Sequence, residues 1–199
     1  MADDKQGRDK QSHDAENRRR NRELAMELER GDESEPPIPD DTLEEIEADL
    51  QTIAFPATGA TIVAAVGDRE VESTDGTYTV SELLPETDHE TFDAPTAVRI
   101  RIQRPTVATA MKRVVEATNA LPEATLEGLQ WDAYERTFRE LAAIDAVDED
   151  EGIRVIADWI VEQIRDDRAL PGSRAVRREA AAFCRGNGYE VRNDEWLGV

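Results

Sequence analysis

Ile153-Arg-Val-Ile-Ala-Asp-Trp-Ile-Val-Glu-Gln-Ile164 places isoleucines at 153, 156, 160 and 164. Steps of three and four residues bring those side chains to one face of an α-helix, whereas a strand would scatter them over both of its faces. The same spacing recurs upstream. Trp131, Tyr134, Phe138 and Leu141 predict a helix from about Leu126 to Ile144. Val107, Met111, Val114, Val115 and Leu121 predict another, opened by Pro105. Burying one such side chain is worth about 1.5–3 kcal/mol, so three stripes of this kind can hold a helical bundle together. They read as core, not as a cofactor site.

On the C-terminal side, Leu170-Pro-Gly-Ser173 predicts a loop whose serine caps a helix from Arg174 to Arg185, closed by Gly186-Asn-Gly188. Val176, Ala180, Phe183 and Cys184 would face inward, and Arg174, Arg177, Arg178 and Arg185 outward. Beyond it, Tyr189-Glu-Val191 and Glu195-Trp-Leu197 are expected to pair across Arg192-Asn-Asp194.

The first half is patterned differently. Arg69-Glu-Val-Glu-Ser73 and Thr77-Tyr-Thr-Val80 flank Thr74-Asp75-Gly76, a β-hairpin whose Asp-Gly turn would supply positive φ angles. Before it, Asp40 or Asp41 would cap a helix carrying Leu43, Ile46, Leu50 and Ile53, ended by Phe55-Pro56. Thr58 would cap a short helix through Ile62, Val63 and Val66, stopped by Gly67. After the hairpin comes a Ser81-capped turn through Leu83 and Leu84, ending at Pro85. In Asp93–Arg104, Val98 and Ile102 fit a helix started at Pro95, while Val98, Ile100 and Ile102 also alternate with Arg99 and Arg101 as in a strand; we favour helix.

The expected fold is therefore mainly α with small β-hairpins (α+β), a helical bundle with a C-terminal helix-hairpin. Residues 1–39 read as a disordered polar arm and Pro-rich linker, 40–104 as a small helix-plus-hairpin module, and 105–199 as a bundle ending in an arginine-faced helix and short hairpin.

Composition sets the solvent. The chain has 45 acidic and 24 basic residues, a net charge of −21, and 39% of it is hydrophobic. That many like charges on a small body repel one another and favour expansion. At molar salt the screening length falls to about 3 Å and most of the repulsion disappears. Lys5, Lys10 and Lys112 are the only lysines. The remaining basic residues are arginines, which are weakly hydrated and pair with carboxylates bidentately. The composition predicts a halophilic, acidic protein. The polar N-terminus has no apolar signal-peptide core, no apolar run reaches about 18 residues, and Cys184 has no second cysteine to pair with. A cytoplasmic location away from membranes is expected.

Residues from about Asp41 to Gln103 resemble a family of small acidic haloarchaeal proteins, a domain of unknown function. Phe55-Pro56, Arg69-Glu-Val-Glu-Ser-Thr-Asp-Gly-Thr-Tyr-Thr-Val-Ser-Glu-Leu-Leu84 and Glu86-Thr-Asp-His-Glu-Thr-Phe92 carry the likeness. It implies a structural motif and brings no activity.

The search for chemistry returns little. His13 lies in the arm, and His89 stands between Asp88 and Glu90, where a solvated turn residue is the ordinary reading and a general base the sharper one. Asp148-Glu-Asp150-Glu-Gly152 puts its glycine one position early for a calcium loop and lacks the closing glutamate. Two histidines and one cysteine make no zinc site by themselves. No catalytic residue, cofactor, metal or small-molecule ligand is expected, and the chain reads as a non-enzyme.

Charge distribution points to partners. Residues 1–22 hold seven basic residues against five acidic, and residues 172–199 hold five arginines against four acids, so both ends escape the acidic bias. Arg174, Arg177, Arg178, Arg185, Arg192 and Trp196 are the candidate contact residues. The favoured role is a binding or regulatory protein, a protein–protein adaptor. The alternative is nucleic-acid binding through a winged-helix-like segment from Ile153 to Val199, with phosphate contacts made by the arginines.

Overall fold

Pro39, with ψ of 145°, keeps the chain extended immediately before the first helix, α1 (Asp40–Leu50). The computed structural model describes residues 36–119, 121, 128–144 and 150–189. Neither Asp40 nor Asp41 caps α1. Pro39 occupies the cap position, and the Asp41 carboxylate accepts instead from the neighbouring Thr42 N–H at 2.9 Å. Leu43, Ile46 and Leu50 bury one face of α1; Ile53 packs beside them from beyond the helix end.

After β1 (Ala57–Thr58) comes α2 (Gly59–Val66), whose first turn is tied by the Thr58 hydroxyl accepting from Thr61 N–H at 3.2 Å. Gly67 follows α2 in a right-handed conformation. The expected left-handed cap is absent, and space is what selects glycine there: a Cβ would stand 2.4 Å from the Val63 carbonyl oxygen. The hairpin is present as β2 (Glu70–Ser73) antiparallel to β3 (Gly76–Thr79), with Val71 opposite Tyr78. Thr74 and Asp75 form its loop with negative φ; only Gly76 takes a positive φ, 145°. A four-residue helix, α3 (Val80–Leu83), is fastened by Thr79, whose N–H donates to the Glu82 carboxylate at 2.7 Å, and not by Ser81.

The chain then returns to pair β4 (Thr91–Phe92) with β1, a contact between segments more than thirty residues apart that local patterning does not reveal. Segment 95–102 is helix α4 (Pro95–Ile102), with proline at its start and Val98 and Ile102 buried. The fold is mostly helical with small antiparallel strand pairs.

Three long helices and a fourth of similar length complete the described chain: α5 (Pro105–Thr118), α6 (Gly128–Ile144), α7 (Glu151–Asp167) and α8 (Ser173–Gly186). Each expected stripe is inward. Tyr134, Phe138 and Leu141 meet Ile153, Ile156, Ile160 and Ile164 in one apolar cluster with Val176, Ala180 and Cys184, while Trp131 is half-buried at its margin. Gly152 marks the closest approach, since a Cβ there would lie 3.1 Å from the Phe183 ring and 3.5 Å from Leu141. Helix α8 begins at Ser173 with Gly172 in the cap position, so Ser173 is the first helical residue and makes no side-chain cap bond. A second cluster gathers Ile38, Leu43, Ile46, Leu50, Ile62, Val71, Val80, Leu83, Phe92, Val98 and Ile102. Helix α5 serves both: Ala108 packs into this second cluster, and Val107, Met111 and Val114 into the first. The expected hairpin across residues 189–197, most of the acidic loop and the N-terminal arm lie outside the described residues.

Candidate interaction surfaces

Helix α8 buries Val176, Ala180 and Cys184 as expected but leaves Phe183 half-buried, with Ala181 taking a buried place instead. Arg174, Arg178 and Arg185 are exposed. Arg177 is half-buried and turns back on its own helix, its Nε donating to the Ser173 carbonyl at 3.4 Å. Arg192 and Trp196 lie outside the described residues. Some arginines of the chain meet carboxylates: Arg69 reaches Glu45 at 2.8 Å, Arg99 reaches Asp40 at 2.9 Å, and Arg113 pairs with Asp158. No such pair forms at Arg174, Arg178 or Arg185 among the described residues.

The groups that chemistry would need stay apart. His89 is exposed, and its backbone N–H donates to the Thr87 hydroxyl at 3.2 Å. Cys184 is buried in the helical cluster. Among the described residues no three histidine, cysteine or acidic side chains converge as metal ligands, and no helix is long and apolar enough to cross a membrane.

Two features emerge only in three dimensions. The first is a groove between α1 and α2. Ala48, Asp49 and Thr52 form one wall; Val63, Ala64, Ala65, Val66 and Gly67 form the other; Asp68, Arg69 and Ser81 close one end. Helix α2 contains no charged residue, and only Gly59 and Ile62 are buried, so Ala64 and Ala65 stand exposed and Val63 and Val66 half-covered. Apart from Thr61 its side chains are small or apolar, and its outer side is open on a chain that is 35% charged.

The second is an enclosed ionic cluster between β4, α4 and α6. The Arg101 guanidinium donates to Glu90 at 3.0 Å and lies 3.4 Å from the Glu135 carboxylate, with only 10% of its side chain exposed. It also sits 4.1 Å from the centre of the Trp131 ring, a cation–π contact. Burial pushes the Glu90 carboxyl up to about 7; Arg101 pulls it back and Glu135 adds to the rise. Its Oε2 has no hydrogen-bond partner among the described residues, which is why desolvation outweighs the ion pair. Sequence reading saw Trp131 as core and Glu90 as one acid of many. The usable signal was the arginine at 101, on a helix whose neighbours at 98 and 102 are buried.

Comparison with curated proteins and with solved structures finds no match for this chain. One family model does match, over residues 40–114, which run from α1 into the last turns of α5 and so include the groove, both strand pairs, Glu90 and Arg101, but neither Trp131 nor Glu135. That segment, and no other part of the chain, is placed by the comparison: it matches a family of unknown function, DUF5789.

Proposed function

We propose that the protein is a non-catalytic adaptor of a salt-rich cytoplasm, binding another protein through the open groove between α1 and α2. The observation that carries this reading is the uncharged helix α2, which leaves Ala64 and Ala65 in solvent amid a highly charged chain. Affinity capture from native cells at molar KCl tests it. A stoichiometric partner should be recovered with the wild type and lost with Ala65→Arg, a change at an exposed position that leaves the core intact. Recovery of the same partner by both proteins overturns the reading.

A second reading has its own observation. Arg174, Arg178 and Arg185 share the solvent side of α8 without a carboxylate partner among the described residues. Three such guanidinium groups would suit contact with a nucleic-acid phosphate backbone. Fluorescence anisotropy on duplex DNA should then show binding that weakens about tenfold or more in Arg174→Glu/Arg178→Glu. It should also weaken with added salt, by a shallower slope in the variant. Equal affinity of wild type and variant removes this alternative.

A further inference from the structure

We propose that the Trp131 ring is a proton-controlled lid over the Arg101–Glu90–Glu135 cluster, closed while the cluster keeps a proton on one of its acids and turned outward when that proton leaves.

Charge sets the need for the proton. Among the described residues one guanidinium faces two acidic side chains, Glu90 at 3.0 Å and Glu135 at 3.4 Å, and it can balance only one of them. With both ionised, a negative charge without a counter-charge stays beside a Glu90 side chain that is 13% exposed. The weight falls on Glu90, whose Oε2 has no hydrogen-bond partner among the described residues. Burial raises this carboxyl, and Glu135 adds to the rise while Arg101 opposes it. An enclosed site with one acid too many either holds a proton or admits water.

The surroundings decide where water enters. On the α2 side, Gly59 N–H donates to the Glu90 carbonyl at 3.0 Å, and the Thr58 hydroxyl donates to Asp88 at 2.8 Å, so that edge is tied down. Helix α6 is anchored through Tyr134 and Phe138, fully buried in the helical cluster. Trp131 is different. It is half-buried at the margin of that cluster, with its ring 4.1 Å from the Arg101 guanidinium. Turning it outward costs one cation–π contact and leaves both apolar clusters intact.

The direction follows from the proton. The closed site keeps a proton that the hydrated, open site has released, so closure is fully favoured below pH 4.5 and loses ground up to about pH 7. The midpoint of opening therefore falls between those values. Molar salt leaves the device working, because groups in contact inside an enclosure exclude the ions that would screen them. The other charged or titratable side chains on the flanking elements are Asp88, His89, Arg104, Asp132, Arg136 and Arg139. His89 needs its own control, since imidazoles ordinarily titrate near neutrality.

The test uses the full chain in molar KCl with Trp131 as its one tryptophan, through Trp159→Phe and Trp196→Phe. Acrylamide, an uncharged quencher, reports how open the indole is to solvent. From pH 4.5 to about pH 8, quenching should rise about twofold or more and emission should move to longer wavelength, half-complete between pH 4.5 and about 7. Glu90→Gln should hold both readings at their acid-side values throughout, and Glu90→Leu serves the same purpose if the first variant does not fold. His89→Asn should leave the transition in place. A flat response in the single-tryptophan chain, a transition that persists without the Glu90 carboxyl, or one that vanishes with His89 would each overturn the inference. So would a parallel loss of helical circular dichroism, which would mark unfolding of the whole chain.

Discussion

Glu90 shows how one residue can work against the stability of the fold that holds it. Its carboxyl titrates near 4.5 when free and about 7 in the folded chain, with burial as the largest cause. Between those values the folded chain keeps a proton that the unfolded chain has released. Folding is therefore unpenalised by Glu90 below pH 4.5, loses stability as the pH rises, and carries the full cost above pH 7, on the order of 3 kcal/mol. Glu90→Gln removes the titration and still offers Arg101 an oxygen to accept its hydrogen bond. The variant should melt together with the wild type near pH 4.5 and above it at pH 8, which scanning calorimetry across that range would show. Parallel melting curves at every pH would mean that Glu90 stays ionised and well solvated.

Among the elements, the join between α2 and the segment after α3 depends on the absence of a side chain. Gly59 N–H donates to the Glu90 carbonyl at 3.0 Å and Ala60 N–H to the Thr87 carbonyl at 3.1 Å. A Cβ on Gly59 would lie 2.2 Å from the Pro85 carbonyl oxygen, a backbone atom of the segment that these two hydrogen bonds hold against α2. Gly59→Ala should thus cost about 1–3 kcal/mol, read as a melting temperature lower by roughly 2–12 °C. An unchanged melting temperature would show that β1 and β4 separate freely. This join was invisible in the sequence, where Gly59 looked like any residue following a cap. The helices were legible because each repeats its apolar residues over three or more turns, as Ile153 to Ile164 do, and the hairpin because Asp75-Gly76 lies between two short β-rich runs. Segment 95–102 was harder: Val98, Ile100 and Ile102 satisfy both periods, and the proline at 95 decided for helix. Pairing of Ala57 with Phe92 and of Arg101 with Glu135 depends on tertiary proximity alone. The groove was missed for a related reason, since a short helix through Ile62, Val63 and Val66 does not reveal that α1 leaves two of these side chains half-covered.

At the scale of the whole molecule the governing quantity is charge. A net −21 on 199 residues stores repulsion that unfolding relieves, and surface ion pairs such as Arg69–Glu45 and Arg113–Asp158 are too solvent-exposed to offset it strongly. Dissolved ions offset it better. At about 0.01 M salt the screening length is roughly 30 Å, so a carboxylate feels charges across the domain; at about 1 M it is roughly 3 Å and only direct neighbours count. The apolar clusters around Phe138 and Ile62 are indifferent to that change, as is the enclosed Arg101–Glu90 pair, so the gain from salt should be diffuse and not confined to one helix. Helical circular dichroism and the melting temperature should both rise steeply from dilute buffer to molar KCl, and NaCl at equal ionic strength should do the same. Sucrose at matched osmolality should do much less, because it stabilises through exclusion from the surface and screens nothing. If sucrose matched KCl, or if the fold were equally cooperative in dilute buffer, repulsion among the carboxylates would not be what limits this protein. Salt adaptation would then lose its physical basis.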